Sequence, residues 1–227
     1  MGIGWAVGFL YAESTIKKQF HHLEKIFPWI FLGYFLSAWI GAKVLFLLTT
    51  TPVQRLMYAN ASNFWLGGGF VFYGGLIGAL LFTLILKIVL KKKLSSEFFY
   101  HLLPSLIAGH AVGRIGCLLA GCCYGKESDS IFAVMTNGVV RLPVPLFESM
   151  GLGVILLLVV SLFKKQKTNY AVSCYFMGYA ILRFILEYYR ADEIRGFYFG
   201  LSTSQWISLL MVFIGVGFIL KNNFKKI

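Results

Sequence analysis

Apolar positions in this chain come in runs of roughly 20 residues, the length that carries a helix across the roughly 30 Å hydrocarbon layer of a bilayer, and each run stops at a short polar cluster. Met1 to Ala12 is the first run. It has no charged leader, so it does not read as a signal peptide, and at about 1.5 Å per residue it makes half a span. Either residues precede it or a re-entrant or tilted half-helix begins the fold. After the polar stretch from Glu13 to Lys25, Trp29 to Thr49 reads as a full span, with Pro28 at its entry, where a missing N–H is tolerated. Thr50 to Gly69, rich in Asn, Ser, Thr and Gly, reads as a surface or interfacial loop. Phe70 to Leu90, Phe98 to Leu119 with Pro104 inside it, Val144 to Phe163, Tyr170 to Tyr188 and Gln205 to Leu220 complete the pattern. It predicts an all-α integral membrane protein: a single polytopic domain over residues 1–227, a bundle of about seven transmembrane helices with the first short or truncated.

Composition agrees, with 58% apolar and 13% charged residues, and the placement of charge adds a direction. A net charge of +12 raises the question of nucleic acid, but its distribution points to membrane topology and an anionic lipid instead. Twelve lysines fall in the connections 13 to 28, 91 to 97 and 164 to 169 and in the tail from 221. By the positive-inside rule these regions are cytoplasmic, which puts the N-terminus outside and the C-terminus inside. The six arginines, Arg55, Arg114, Arg141, Arg183, Arg190 and Arg195, fall in or near the opposite regions. A topology signal needs only a point charge, whereas the planar guanidinium suits bidentate phosphate recognition. The functional loops are therefore expected to face outward, near 50–75, 114–148 and 183–204.

Two of those arginines lie in apolar helices, where an ionisable group marks a site until shown otherwise. Arg114 shares one helical face with His110 and Cys117, at spacings of four and three, and no acid stands on that face. Arg183 has Glu187 four residues on, so a pair that merely lets helices pack is its plainer reading. Gly74 and Gly78, also four apart, allow close helix approach in lipid. Glu127, Asp129, Glu148, Asp192 and Glu193 read as outer-face acids, mostly solvated and beside arginines, with Glu148 the exception because it falls in one of the motifs described next.

Gly113-Arg114-Ile115-Gly116, followed by Gly121 and Tyr124-Gly125, resembles the signature of the prolipoprotein diacylglyceryl transferase family, Gly-Arg-x-Gly-Asn-Phe-x-Asn-Gly-Glu-x-Tyr/Trp-Gly. Three further stretches match in order. Tyr73 to Gly78 is similar to the family's His-Gly-Gly-Leu-Ile-Gly, Pro143 to Glu148 to its Pro-Ser-Gln-Leu-Tyr-Glu, and Arg183 to Arg190 to its Arg-Phe-x-x-Glu-Phe-Phe-Arg. Gly41-Ala42-Lys43 sits where the family often has Gly-Ala-Arg. The resemblance implies a multi-pass enzyme of the bacterial cytoplasmic membrane. It would take the diacylglyceryl group of phosphatidylglycerol or a similar anionic phospholipid and form a thioether with the lipobox cysteine of a prolipoprotein signal peptide, with no metal or other cofactor. It further implies that Arg114 and Arg183 contact the lipid head group, with Glu187 orienting Arg183 or Arg190 and with Arg190, Gly74, Gly75, Gly125 and Glu148 on the substrate side.

The departures concern proton handling. Tyr73 stands where the family has its histidine, Cys117 replaces the signature asparagine and Cys122 its glutamate. His110, one turn before Arg114, is a candidate base, and Tyr73 is better suited to orienting a head group than to removing a proton. Three readings of the cysteines stay open. Cys117 or Cys122 is a reactive thiolate beside Arg114; Cys117 or Cys122 forms a disulfide with a partner such as Cys174; or Cys117, Cys122, Cys123 and His110 hold a metal, although Cys-x4-Cys-Cys is not a usual zinc spacing. Two alternatives accompany the main function: a related phospholipid-dependent transferase with another acceptor, and a non-catalytic lipid-binding or lipid-translocating protein.

Overall fold

The computed structural model describes residues 2–49, 71–91, 94–191 and 197–224. Arg55, Asp192, Glu193, Arg195, Lys92 and the expected loop from 50 to 69 lie outside the described residues. The protein is mostly helical, and among the described residues four helical stretches are long and apolar enough to cross a membrane: Phe27–Thr49, Ser96–Leu119, Val144–Lys164 and Thr203–Lys221. Tyr73–Val89 is a shorter apolar helix. These helices make it a multi-pass membrane protein.

The first helix differs from the half-span expected. It runs Gly2–Gln19 (α1), 18 residues and about 27 Å, because no Gly or Pro interrupts it after Gly8 and its polar end is built of helix-compatible Glu, Ser, Lys and Gln. Phe27–Thr49 (α2) and Phe72–Val89 (α3) follow. The expected span from Phe98 is divided into Ser96–His101 (α4) and Leu103–Leu119 (α5). Pro104 falls in the first turn of α5, where its missing N–H costs nothing but where the helix behind it cannot continue unbroken. Val144–Lys164 (α6), Thr168–Glu187 (α7) and Thr203–Phe224 (α8) complete the set.

By contacts the chain forms two compact units, residues 15–98 and residues 1–14 with 99–227. In the first, α2 and α3 pack through the glycines that the sequence singled out. A Cβ on Gly74 would collide with the carbonyl oxygen of Gly41, and one on Gly78 with that of Ser37. Tyr34 Oη lies 2.8 Å from Thr83 Oγ1 across the same interface. Gly74 and Gly75 thus serve helix approach, while Tyr73 is partly exposed at 38%.

In the second unit α5, α6, α7 and α8 follow one another antiparallel. Ser149 donates to the carbonyl of Ala111 at 2.9 Å, Arg183 to Ser204 at 3.0 Å and Ser173 to the carbonyl of Gly215 at 2.8 Å, so partner numbers rise on one helix as they fall on the next. Ile107, Leu152, Ile155, Val159, Ala171 and Tyr175 form the core between them. Gly4 and Gly8 of α1 lie against Gly109 and Ser105 of α5, close enough that a Cβ at Gly4 would sit 2.7 Å from the Gly109 carbonyl oxygen.

The stretch from Ala120 to Pro143 is more ordered than a loop. Val134–Thr136 (β1) and Val139–Arg141 (β2) pair antiparallel around Asn137-Gly138, both at positive φ (53° and 80°), the two-residue turn that matches strand twist. A second small hairpin, Phe197–Tyr198 (β3) with Leu201–Ser202 (β4), leads into α8.

Candidate active site

The charged groups of the second unit gather where α5 and α7 end and α6 and α8 begin. Arg114 comes from the last turns of α5, and its partner, absent from its own helix face, is supplied by α6: Nη2 lies 3.0 Å from Oε1 of Glu148. Glu148 is buried to 1% exposure, unlike the solvated acids from which its motif position set it apart. A carboxylate just past the first turn of an apolar helix can be buried only against a cation and a donor. The donor is Tyr179 of α7, whose hydroxyl donates to the same oxygen at 2.8 Å.

His110 closes this group. Arg114 Nε donates to His110 Nε2 at 3.3 Å, the same nitrogen stands 3.9 Å from Glu148, and the imidazole meets the Tyr179 ring edge-on with centroids 5.2 Å apart. A nitrogen that accepts from a guanidinium carries no proton, so this arrangement puts the imidazole proton on Nδ1. The lone pair a base would use is then engaged by Arg114.

Along α7, Tyr179, Arg183 and Glu187 recur every four residues and share a face. Arg183 Nη2 approaches Glu187 Oε2 at 2.7 Å, the ion pair the sequence offered as the plainer reading, and also donates to Ser204. Its other terminal nitrogen, Nη1, is buried with no hydrogen-bond acceptor among the described residues. Such a donor asks for an anion or water. Ser204 is held by the start of α8, where Ser202 and Gln205 form a reciprocal cap: Gln205 N–H donates to Ser202 Oγ at 3.3 Å and Ser202 N–H to Gln205 Oε1 at 2.9 Å.

Gly125 and Arg190 meet through their backbones. Residues 124–127 lie as a strand between 140–142 and 189–191: Gly125 bridges Arg190, its N–H donates to the Leu142 carbonyl at 2.9 Å, and Lys126 N–H donates to the Tyr189 carbonyl at 2.8 Å. A Cβ on Gly125 would stand 2.6 Å from the Leu142 oxygen, so only glycine fits. Arg190 is buried. Arg141 and Glu127 pair at 3.2 Å on the surface above, with the Arg141 guanidinium 4.6 Å from the Tyr124 ring centroid.

The cysteines converge without a disulfide. Cys117, Cys122, Cys123 and Cys174 are all free thiols, and the Sγ atoms of the first three lie within 4.8 Å of one another. A bridge to Cys174, one of the three readings left open, is not formed: Cys174 packs against the apolar core and lines a cavity with Leu162, Lys167 and Tyr170, near the lysine-bearing turn between α6 and α7. Burial, and after it the neighbouring Cys123, pushes the Cys122 thiol above its ordinary value, the wrong direction for a reactive thiolate.

Of the residues named from sequence, this unit brings together His110, Arg114, Cys117, Cys122, Cys123, Gly125, Glu148, Arg183, Glu187 and Arg190. Tyr179 and Ser204 are additions. Tyr179 carried a signal, the same four-residue step on α7 read one turn earlier.

Comparison with known proteins identifies the family. The family profile described as prolipoprotein diacylglyceryl transferase matches residues 1–221. A phosphatidylglycerol–prolipoprotein diacylglyceryl transferase 2 of Clostridium perfringens is 34% identical over 242 residues, covering 100% of this chain and 89% of its own length. The phosphatidylglycerol–prolipoprotein diacylglyceryl transferase of Clostridium tetani is 28% identical, covering 100% of this chain and 92% of its own length. That of Helicobacter pylori strain Shi470 is 32% identical over 93% of this chain and 79% of its own.

Proposed function

We propose a reaction for this chain from one premise: it belongs to the prolipoprotein diacylglyceryl transferase family. It moves the diacylglyceryl group of phosphatidylglycerol, or a similar anionic phospholipid, to the cysteine thiol of a prolipoprotein signal peptide. The sulfur attacks the glyceryl carbon, an S–C bond forms as the C–O bond breaks, and the electron pair leaves on the phosphate oxygen of glycerol phosphate.

The observation that carries this reading is a buried donor that still needs an acceptor: Arg183 Nη1, on a guanidinium that Glu187 and Ser204 hold in place, has no hydrogen-bond partner among the described residues, and a phosphodiester oxygen would supply one. Glu148 and Tyr179 orient Arg114, while Glu187 and Ser204 orient Arg183. Donors fixed in this way in a water-poor site stabilise charge arriving on the leaving phosphate without reorganising, usually the largest contribution to such transfers. Gly125 lets the strand carrying it approach Leu142 and Arg190, and Tyr73 orients the head group. The site faces outward from the bacterial cytoplasmic membrane, the chain crosses it about seven times, and the C-terminus is cytoplasmic, all of which the split between lysine and arginine positions supports.

One feature favours a second reading within the same chemistry. Tyr73, Cys117 and Cys122 stand where the family has a histidine, an asparagine and a glutamate, so the acceptor can differ while the donor does not. Cells depleted of their own transferase and supplied with this chain test both. Mass spectrometry of their lipoproteins should find the diacylglyceryl increment on the lipobox cysteine. Lipid consumed with no increment on lipoproteins favours another acceptor, and no turnover at all removes the transferase reading.

A further inference from the structure

The three converging cysteines have no role in holding phosphate, and their convergence is built by local backbone rules. The end of α5 is a Schellman turn: Cys122 N–H donates to the Cys117 carbonyl at 3.1 Å and Gly121 N–H to the Leu118 carbonyl at 3.1 Å, with Gly121 at φ +63°. That turn brings residue 122 back over residue 117, and Cys122 Sγ lies 3.5 Å from the Cys117 carbonyl oxygen. Cys123 then adopts φ 57°, the left-handed region that a side chain enters only at a cost, and its sulfur joins the other two. Asn137 of the β1–β2 turn clamps the arrangement, donating from Nδ2 to the Gly121 carbonyl at 2.9 Å. The Cys-x4-Cys-Cys spacing, unpromising as a linear pattern, becomes a three-sulfur cradle once the two left-handed residues are in place.

We propose that Cys117, Cys122 and Cys123 bind one zinc ion as thiolates and that its open fourth position receives the acceptor's cysteine thiol. The proposal rests on the transferase reading for its second half only. Zinc–sulfur bonds of about 2.3 Å set the sulfurs of a tetrahedral site about 3.8 Å apart. From separations within 4.8 Å, cysteine rotamers need to close by no more than about 1 Å. Three protein ligands with a vacant position is the pattern of catalytic zinc, whereas structural zinc is closed by four. A thiol bound to such an ion is held deprotonated at neutral pH, which supplies the nucleophile that the engaged lone pair of His110 does not.

The step balances without any redox partner. On coordination the acceptor thiol gives its proton to solvent; its sulfur then forms the S–C bond as the C–O bond breaks and the electron pair departs with the phosphate. The thioether product is neutral and a poorer ligand than a thiolate, so it leaves the ion. A covalent relay through Cys117 or Cys122 does not turn over in the same way, because the alkylated cysteine would itself be a thioether with no leaving group of comparable quality.

The test uses the full chain in detergent, reduced, stripped with chelator and given zinc alone. One zinc per chain is expected, retained in Cys174→Ser and lost in Cys117→Ser with Cys122→Ser and Cys123→Ser. Because the triple variant could misfold, cobalt is titrated into the wild type as well. Intense thiolate-to-cobalt absorption with tetrahedral visible bands is expected. No stoichiometric zinc, or cobalt without thiolate bands, overturns the site. Zinc bound but diacylglyceryl transfer undiminished in the stripped enzyme overturns its role in activating the acceptor. Zinc bound in a chain that never transfers lipid under any condition removes the transferase reading and leaves the metal site standing.

Discussion

At the scale of single residues the site is a set of dependencies that point mutations can separate. Glu148→Ala should destabilise the protein by about 3–5 kcal/mol, because it leaves the Arg114 charge uncompensated in a dry place and the Tyr179 hydroxyl without its acceptor. Glu148→Gln keeps an acceptor for Tyr179 and should cost clearly less in a thermal melt; equal losses would mean that the ion pair adds nothing beyond shape. Arg114→Lys keeps the charge but loses the planar fork shared among His110 and Glu148, so transfer should fall by at least about tenfold with membrane insertion unchanged. Cys122 gives a pH readout. In the reduced, metal-free protein its alkylation rate should rise with pH and level off only above the ordinary thiol value, since burial favours the neutral form. A plateau near neutrality would restore the reactive-thiolate reading. Much at this scale was legible in the sequence, because His110, Arg114, Arg183 and Glu187 declare themselves by four-residue steps along one helix. Glu148 as the partner of Arg114 was not, since that contact joins two helices and no periodicity encodes it.

At the scale of elements, glycines divide into those that let backbones touch and those that do not. Gly125→Ala should abolish activity, because its Cβ would be 2.6 Å from the Leu142 oxygen and 2.8 Å from Val144 Cγ2, forcing the 124–127 strand off the backbone of Arg190. Gly113, inside the signature itself, has nothing within 4 Å of where a Cβ would stand. Gly113→Ala should therefore fold normally and gain up to about 1 kcal/mol of helix preference. Loss of lipid turnover with an unchanged melt in that variant would mean that the space beside Arg114 belongs to substrate. The elements themselves were legible as apolar runs, and Asn137-Gly138 and Ser202-x-x-Gln205 carry their hairpin and capping signals openly. What the linear pattern hides is the sulfur cradle. It depends on a left-handed cysteine after a Schellman glycine, a conformation that no propensity favours.

At the scale of the whole molecule the separation of cation types is the feature to test, because on the proposed topology it decides which compartment supplies the acceptor. In the second unit, Arg114, Arg183 and Arg190 lie where α5 and α7 end, while Lys164, the last residue of α6, and Lys165 and Lys167 just after it lie at the opposite ends of these antiparallel helices. Lysines of this kind resist translocation, whereas paired and buried arginines do not direct topology. Two single substitutions read the outcome, each made in the Cys174→Ser background with the sulfur cradle protected by zinc or blocked beforehand. Asp129→Cys lies in the exposed segment before β1 and should react with a membrane-impermeant maleimide on intact cells; Lys165→Cys should react only after the membrane is permeabilised. Under the proposed function this orientation also decides the acceptor's side, since a thiol offered at the outer surface could not meet a site at the lysine end. Labelling of Lys165→Cys but not Asp129→Cys on intact cells would invert the molecule, and with it the claim that the lysine clusters, rather than the arginine site, set the direction of insertion.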